Sequence, residues 1–384
     1  MRLLPGSSHF HVIEEPAYAC SGSGEHLFLE IEKENLTSDI LAFAIAKAFG
    51  VKDVDVGWAG RKDRHAVTRQ WFSIRTKDES GVARIGTLVP NDARIAVVTV
   101  ARHGNKIRTG HLAGNRFRLG LADVADPAVL KQRLESLQTN GISNRFGPQR
   151  FGINAASLKA AAAWSRGDHA EAIRWIVDPQ GGWQVGQAVP EGFRNGPEGQ
   201  IIGALRKGLD PVNAFRRCPE PLRKLLASAG QAAIFNAILD ARAKAGLLYT
   251  LRAGDLGIAA IGAPFRVTAE TAEEDSRRAA PGRLEVTVSA PLPGMSRMVP
   301  DEAVALEERA WSAVTGIDWS AFAERGVMES PGERRSVIMR FREAPEVTVE
   351  GGTTWVSFGL PSGGYATEVL TQAGVSLPDD RRGT

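Results

Sequence analysis

One acid among cations, Arg61-Lys62-Asp63-Arg64-His65, is the stretch of this chain best suited to chemistry. Neighbouring positive charge favours the ionised form of a carboxylate. An ionised carboxylate serves as a nucleophile and not as a general acid. For five such residues taken alone, a solvated charged turn is the plain alternative. The flanks supply the means of positioning. Val54, Val56 and Trp58 precede the turn and Val67, Thr68, Trp71, Phe72 and Ile74 follow it. These are residue types of half-buried strands, and Gly60 marks the break between them. The expectation is a strand, a tight basic loop carrying Asp63, and a second strand.

Positive charge is concentrated around this loop. From Gly57 to Arg118 there are thirteen Lys or Arg against four Asp or Glu, a net +9 in a chain whose whole charge is +3. Such a run suits a phosphate backbone. Arg61, Lys62 and Arg64 belong to it, and so do Arg102, Lys106 and Arg108 in a later basic loop that contains no acid. These six, Arg61, Lys62, Arg64, Arg102, Lys106 and Arg108, are candidate contacts for a nucleic-acid backbone.

Composition excludes several other classes. At 384 residues, 43% hydrophobic and 24% charged, the chain is long enough for two domains with separate cores. No stretch approaches the roughly 20 apolar residues of a membrane span, and the N-terminal residues lack the apolar run of a secretory leader. Cys20 and Cys218 stand far apart, outside any metal-binding spacing. Ser21-Gly-Ser-Gly-Glu25-His26 is not followed by the Gly-Lys-Ser/Thr of a phosphate loop. The expectation is a cytoplasmic protein, monomeric, with no metal, no small-molecule cofactor and no membrane partner.

The stretch Gly60-x-Lys62-Asp63-x-x-Ala66-x-Thr68-x-Gln70, followed by Ser73, resembles the active-site motif of the TruD family of RNA pseudouridine synthases. Asn144-Arg-Phe146-Gly147-Pro-Gln149-Arg150-Phe151-Gly152 is similar to that family's Asn-x-Phe-Gly-x-Gln-Arg-Phe-Gly, and Leu360-Pro361-x-Gly363-x-Tyr365-Ala366-Thr367 to a third of its motifs. Phe10 and Glu14, the turn at Ser21 to His26, and Gly114-Asn115-x-Phe117 extend the likeness. The resemblance implies isomerisation of a uridine to pseudouridine in tRNA, typically uridine 13, with Asp63 as the nucleophile. It also implies that Phe10 contacts the target nucleotide and that Tyr365, where the family commonly has Phe, stacks on the uracil. The Asn144 amide complements a uracil edge and Phe146 can stack beside an extruded base; core packing is the alternative reading for both aromatics, Phe10 and Phe146. Two departures stand out: Ser7-Ser8-His9 replaces the family's Pro-Glu-Asp, and Leu4 occupies a region where the family tends to carry Lys.

The fold expected is α+β. The resemblance implies a pseudouridine synthase catalytic domain over 1–155 and 339–384, with a mixed or antiparallel sheet flanked by helices. An inserted α/β TRUD domain over 156–338 is implied to close a cleft over RNA. Thr37 to Gly50 reads as a capped helix, Pro127 to Asn140 and Leu222 to Leu247 as helices, and Arg335 to Arg342 as a strand. The tail from Pro378 to Thr384 reads as irregular. Other readings of the whole chain are the same chemistry on another RNA, or an RNA-binding or tRNA-folding protein with little catalysis. A glycosidase would need a paired second carboxylate, and none stands out.

Overall fold

The computed structural model describes residues 1–187, 198–260, 262–296 and 298–378, so the expected tail beyond residue 378 lies outside the described residues. The chain begins β1 (Arg2–Leu3), β2 (Phe10–Pro16), β3 (His26–Glu34), α1 (Ser38–Phe49), β4 (Gly57–Trp58), β5 (Val67–Arg75), β6 (Arg94–His103), β7 (Leu112–Ala122) and α2 (Pro127–Asn140). There follow β8 (Ile142–Ser143), α3 (Ala156–Ser165), α4 (His169–Val177), α5 (Gly199–Arg206), α6 (Pro211–Phe215), α7 (Glu220–Lys244), β9 (Leu256–Ala259), β10 (Pro264–Arg266), α8 (Ala272–Ala279), β11 (Val286–Leu292), α9 (Glu302–Ser312), β12 (Glu333–Ser336) and β13 (Ile338–Met339). The last elements are β14 (Glu343–Glu350), β15 (Thr353–Pro361) and α10 (Ala366–Gln372). The architecture is mixed α+β.

Two units divide the chain. One comprises Met1–Gln138 with Arg340–Pro378, the other Thr139–Met339. The first boundary precedes the expected 155/156 because the segment after Gln138 bonds to the end of the second unit: the Asn144 amide N–H donates to the Val337 carbonyl at 2.8 Å, and β8 pairs with β13.

In the first unit a sheet runs in the order β14-β15-β7-β2-β5-β3-β6, with β1 beside β7 and β4 beside β5. Its neighbours are antiparallel except β2 and β5, which are parallel with His11 opposite Val67. A parallel pair needs a long crossover, and β3, α1 and β4 supply it. Leu27, Leu29 and Ile31 of β3 lie opposite Ile74, Phe72 and Gln70 of β5. These apolar side chains share a fully buried core with Leu41 and Ile45 of α1. Thr37 caps α1 by accepting from the Ile40 N–H, and Gly50 ends it in the left-handed conformation at φ 67°.

Two expected strands are shorter than their residue types suggest. Only Gly57 and Trp58 pair with β5, while Asp53–Asp55 forms a 3₁₀ turn that leaves Val54 exposed. The expected strand over 335–342 is broken at Val337: β12 pairs with β11 and β13 with β8.

The second unit is built around α7, whose Ala229, Ile234, Phe235 and Ile238 are fully buried. The helix packs on α3, α9 and β11, the last being a central strand of the sheet β10-β9-β11-β12. No helix among the described residues is long and apolar enough to cross a membrane.

Candidate active site

Three backbone groups of the loop from Gly60 to Ala66 are held by buried polar side chains. Because β4 pairs antiparallel with β5, Trp58 opposite Phe72, the loop returns along β5 and crosses the inward-facing Gln70. The Gln70 side-chain N–H donates to the Gly60 carbonyl at 2.5 Å. Its Oε1 accepts from the Ser38 hydroxyl at 2.7 Å, and that hydroxyl in turn accepts from the Lys62 backbone N–H at 2.9 Å. Lys33 Nζ donates to the Asp63 carbonyl at 3.0 Å and to the Leu36 carbonyl at 2.6 Å. Within the loop, Asp63 Oδ1 accepts from the His65 N–H at 2.9 Å. Gln70, Ser38 and Lys33 are each at most 1% exposed, whereas Asp63 is half-buried.

Beside this framework lies a buried ion pair. Lys62 Nζ stands 2.5 Å from Glu14 Oε2, with the two side chains 6% and 1% exposed. Glu14 Oε1 also accepts from the Trp71 N–H at 3.3 Å. Burial pushes the Glu14 carboxyl above its ordinary value, and the Lys62 charge pulls it partly back. Lys33 is lowered to about 8 by burial, against the pull of the Asp63 charge.

Glu14, Asn115 and Leu360 occupy one level across β2, β7 and β15. Directly opposed residues of antiparallel strands present their side chains to the same face. Asn115 Oδ1 and Thr68 Oγ1 are buried polar atoms without a hydrogen-bond partner among the described residues. Buried polar groups in that state are the exception in folded proteins; Thr68 lies on β5, which follows the loop, and Asn115 on β7, opposite Glu14.

Among the expected site residues, Phe10, Lys62, Asp63 and Tyr365 belong to the first unit. Phe10 opens β2, is 6% exposed and meets Phe117 edge to face at 6.5 Å. Tyr365 is half-buried at the N-cap of α10, just after β15.

Asn144 and Phe146 belong to the second unit and are bonded within it. Asn144 Oδ1 accepts from Arg335 at 2.5 Å, and its side-chain N–H donates to the Ser336 carbonyl at 2.8 Å. Phe146 packs edge to face on Phe235 at 5.5 Å, with the Arg335 guanidinium 4.3 Å from its ring centre. The Asn236 amide exchanges two hydrogen bonds of 3.0 Å with the Phe146 backbone.

The basic run is extensively matched by acids of the first unit, among them five from outside the run. Arg61 lies 3.2 Å from Asp39, and Arg64 lies 3.5 Å from Asp92. Arg69, Arg75 and Arg118 pair with Glu32, Glu25 and Glu350, and Arg116 pairs with Glu343. Arg102 spends its guanidinium on Glu79 at 2.6 Å and on the Lys77 carbonyl at 3.0 Å. Lys106 donates to the Val54 carbonyl, and Arg108 is exposed. Arg2, the nearest cation to the Leu4 departure, pairs with Asp123 at 2.7 Å.

Lys33 is the residue that sequence reasoning passed over. The signal was available: Leu27, Leu29, Ile31 and Lys33 fall on one face of β3, so an amine continues an apolar, inward row.

Comparison with known proteins gives the family of the chain. The family described as tRNA pseudouridine synthase D (TruD) matches residues 2–181 and 166–373. A protein named tRNA pseudouridine synthase D from Syntrophotalea carbinolica is 34% identical, over 94% of this chain and 92% of its own. One of the same name from Vibrio campbellii is 30% identical, over 95% and 89%. The crystal structure of the putative tRNA pseudouridine synthase D (TruD) from Methanosarcina mazei superposes with a TM-score of 0.70, at 23% identity, over 97% of this chain and 94% of that one. That structure shares the fold. With the family match spanning residues of both units and a relative 34% identical over nearly the whole chain, this chain belongs to the tRNA pseudouridine synthase D (TruD) enzyme family.

Proposed function

We propose that the protein isomerises uridine 13 of tRNA to pseudouridine, with Asp63 as the nucleophile. The observation that carries this reading is the contrast within the loop. Its backbone is tied down by Gln70, Ser38 and Lys33, while the Asp63 side chain stays half-buried. Holding a nucleophile on a fixed backbone removes reorientation from the reaction barrier.

The chemistry exchanges one bond at a single sugar carbon. The target nucleotide leaves its stack at a cost of a few kcal/mol, which stacking and phosphate contacts offset at about 1–3 kcal/mol per stacked base. Asp63 attacks the sugar or the base, and the N1–C1′ bond breaks. The uracil turns, C5 bonds to C1′, C5 loses its proton and N1 gains one. Substrate and product are isomers, so the carboxylate is regenerated and no redox step is needed. Phe10 and Tyr365 are the aromatic contacts of the base in this reading. Asn144 retains one lone pair and one N–H beyond its internal bonds for an RNA group. Arg61, Arg64 and Arg108 are exposed cations for the phosphate backbone. In this reading the protein is a cytoplasmic monomer, and the resemblance implies that it needs no cofactor.

The test is position-resolved mapping of pseudouridine in unmodified tRNA transcripts after incubation with the protein, beside transcripts carrying cytidine at position 13. A single product at 13 that vanishes with the cytidine transcripts is expected. Modification at a different uridine would refute the position. Binding without product would favour an RNA-binding or tRNA-folding role.

A further inference from the structure

A buried lysine needs a reason, because methionine would fill the same volume without desolvating a charge. Lys33 is the last inward-facing residue of β3, opposite Thr68 of β5 and Ile95 of β6. Its side chain crosses beneath the loop and ends between two carbonyls, those of Leu36 and Asp63. Leu36 immediately precedes the N-cap of α1, so a single amine ties the start of that helix to the peptide carrying the nucleophile. The charged groups facing it are Asp63 and Lys62 of the loop. On β5 and β6 it stands opposite the neutral Thr68 and Ile95.

We propose that Lys33 is a positioning residue for Asp63: its ammonium ties the Asp63 peptide to the start of α1, and loss of its proton slows the chemical step without weakening tRNA binding. This rests on the reading of Asp63 as nucleophile. A neutral amine keeps two N–H donors for the two carbonyls, but hydrogen bonds from a charged donor are about twice as strong as neutral ones, so deprotonation loosens the hold on the Asp63 peptide without removing it. Burial lowers Lys33 to about 8, which places that change within an accessible range for a folded enzyme.

The experiment measures single-turnover pseudouridine formation and tRNA Kd from about pH 6.5 to about pH 9.5, spanning the Lys33 transition. It compares wild type, Lys33→Arg, Lys33→Met and Asp63→Asn. The wild-type rate should be flat at low pH and fall about tenfold per pH unit well above the transition, with Kd unchanged. A guanidinium does not titrate in this window, so Lys33→Arg should flatten the profile. Lys33→Met should be flat and about 10- to 100-fold slower at neutral pH, with Kd within about threefold of wild type. A wild-type rate that stays flat, or variants that share the wild-type profile, would overturn the proposal. Should thermal melting show that neither Lys33 variant folds, the wild-type profile decides alone. An active Asp63→Asn would instead sink the nucleophile reading, whereas an inactive Asp63→Asn beside unaffected Lys33 variants would sink only this proposal.

Discussion

Lys62→Met would strand the Glu14 carboxylate. The pair is nearly sealed from water, with 6% and 1% of the two side chains exposed. Removing one partner of such a pair costs about 3–5 kcal/mol, because a buried charge remains without its counter-ion. For a unit of the size of Met1–Gln138 with Arg340–Pro378, each kcal/mol moves the melting temperature by about 2–4 °C, so a fall on the order of 10 °C in the melting of that unit is expected at pH 7. The loss should depend on pH in a definite direction. Burial already raises the Glu14 carboxyl above 4.5, with Lys62 opposing; without Lys62 it rises further. A carboxyl that binds its proton more tightly folded than unfolded gains protons on folding, so stability increases as pH falls through that window. The defect of Lys62→Met should therefore shrink between about pH 7 and about pH 5 as Glu14 is neutralised. The double variant Glu14→Gln/Lys62→Met should recover most of the loss at pH 7. Melting followed by circular dichroism at the two pH values measures all three effects. A single variant melting within about 2 °C of wild type at pH 7, or equally destabilised at both pH values, would refute the reasoning.

Lys33 has the opposite linkage. Its affinity for a proton is lower folded, about 8, than the 10.5 of a free lysine. The unfolded chain then binds more protons between those values, and the Lys33 contribution to stability should rise with pH across them by up to about 3 kcal/mol. Urea unfolding of wild type and Lys33→Met at the two ends of that range would show the rise in wild type only. Arg61→Ala and Arg64→Ala remove exposed pairs and should change stability by less than about 1 kcal/mol. Each should weaken tRNA binding and reduce the slope of log Kd against log salt by about one, as titration at several salt concentrations would show.

The parts of the fold legible in the sequence are those with local causes. Thr37 and Gly50 bound α1 because a hydroxyl caps its first turn and only a residue tolerant of positive φ ends it cleanly. Gly60 to Gln70 announced the loop because turn, charge and strand residues follow one another directly. Contacts between distant segments were less accessible. Counting charge along the chain overstated the field around the loop, since Asp39, Glu32, Glu25, Glu343 and Glu350 come from elsewhere to meet its cations. Asn144 bonds to Ser336 and Val337, nearly two hundred residues on. No composition shift marks that junction, and it moved the first unit boundary. Lys33 was hidden because a charge at a strand end ordinarily reads as exposed; only the inward row of Leu27, Leu29 and Ile31 betrays it.

The most direct test of the account compares Asp63→Asn with wild type in single-turnover pseudouridine formation on one tRNA transcript, with Kd measured in parallel. Asparagine preserves the size of the side chain and the oxygen that accepts from the His65 N–H but removes the nucleophile. The account predicts no detectable product from Asp63→Asn, with tRNA Kd within about threefold of wild type. Product formed by Asp63→Asn at a rate near that of wild type would contradict it.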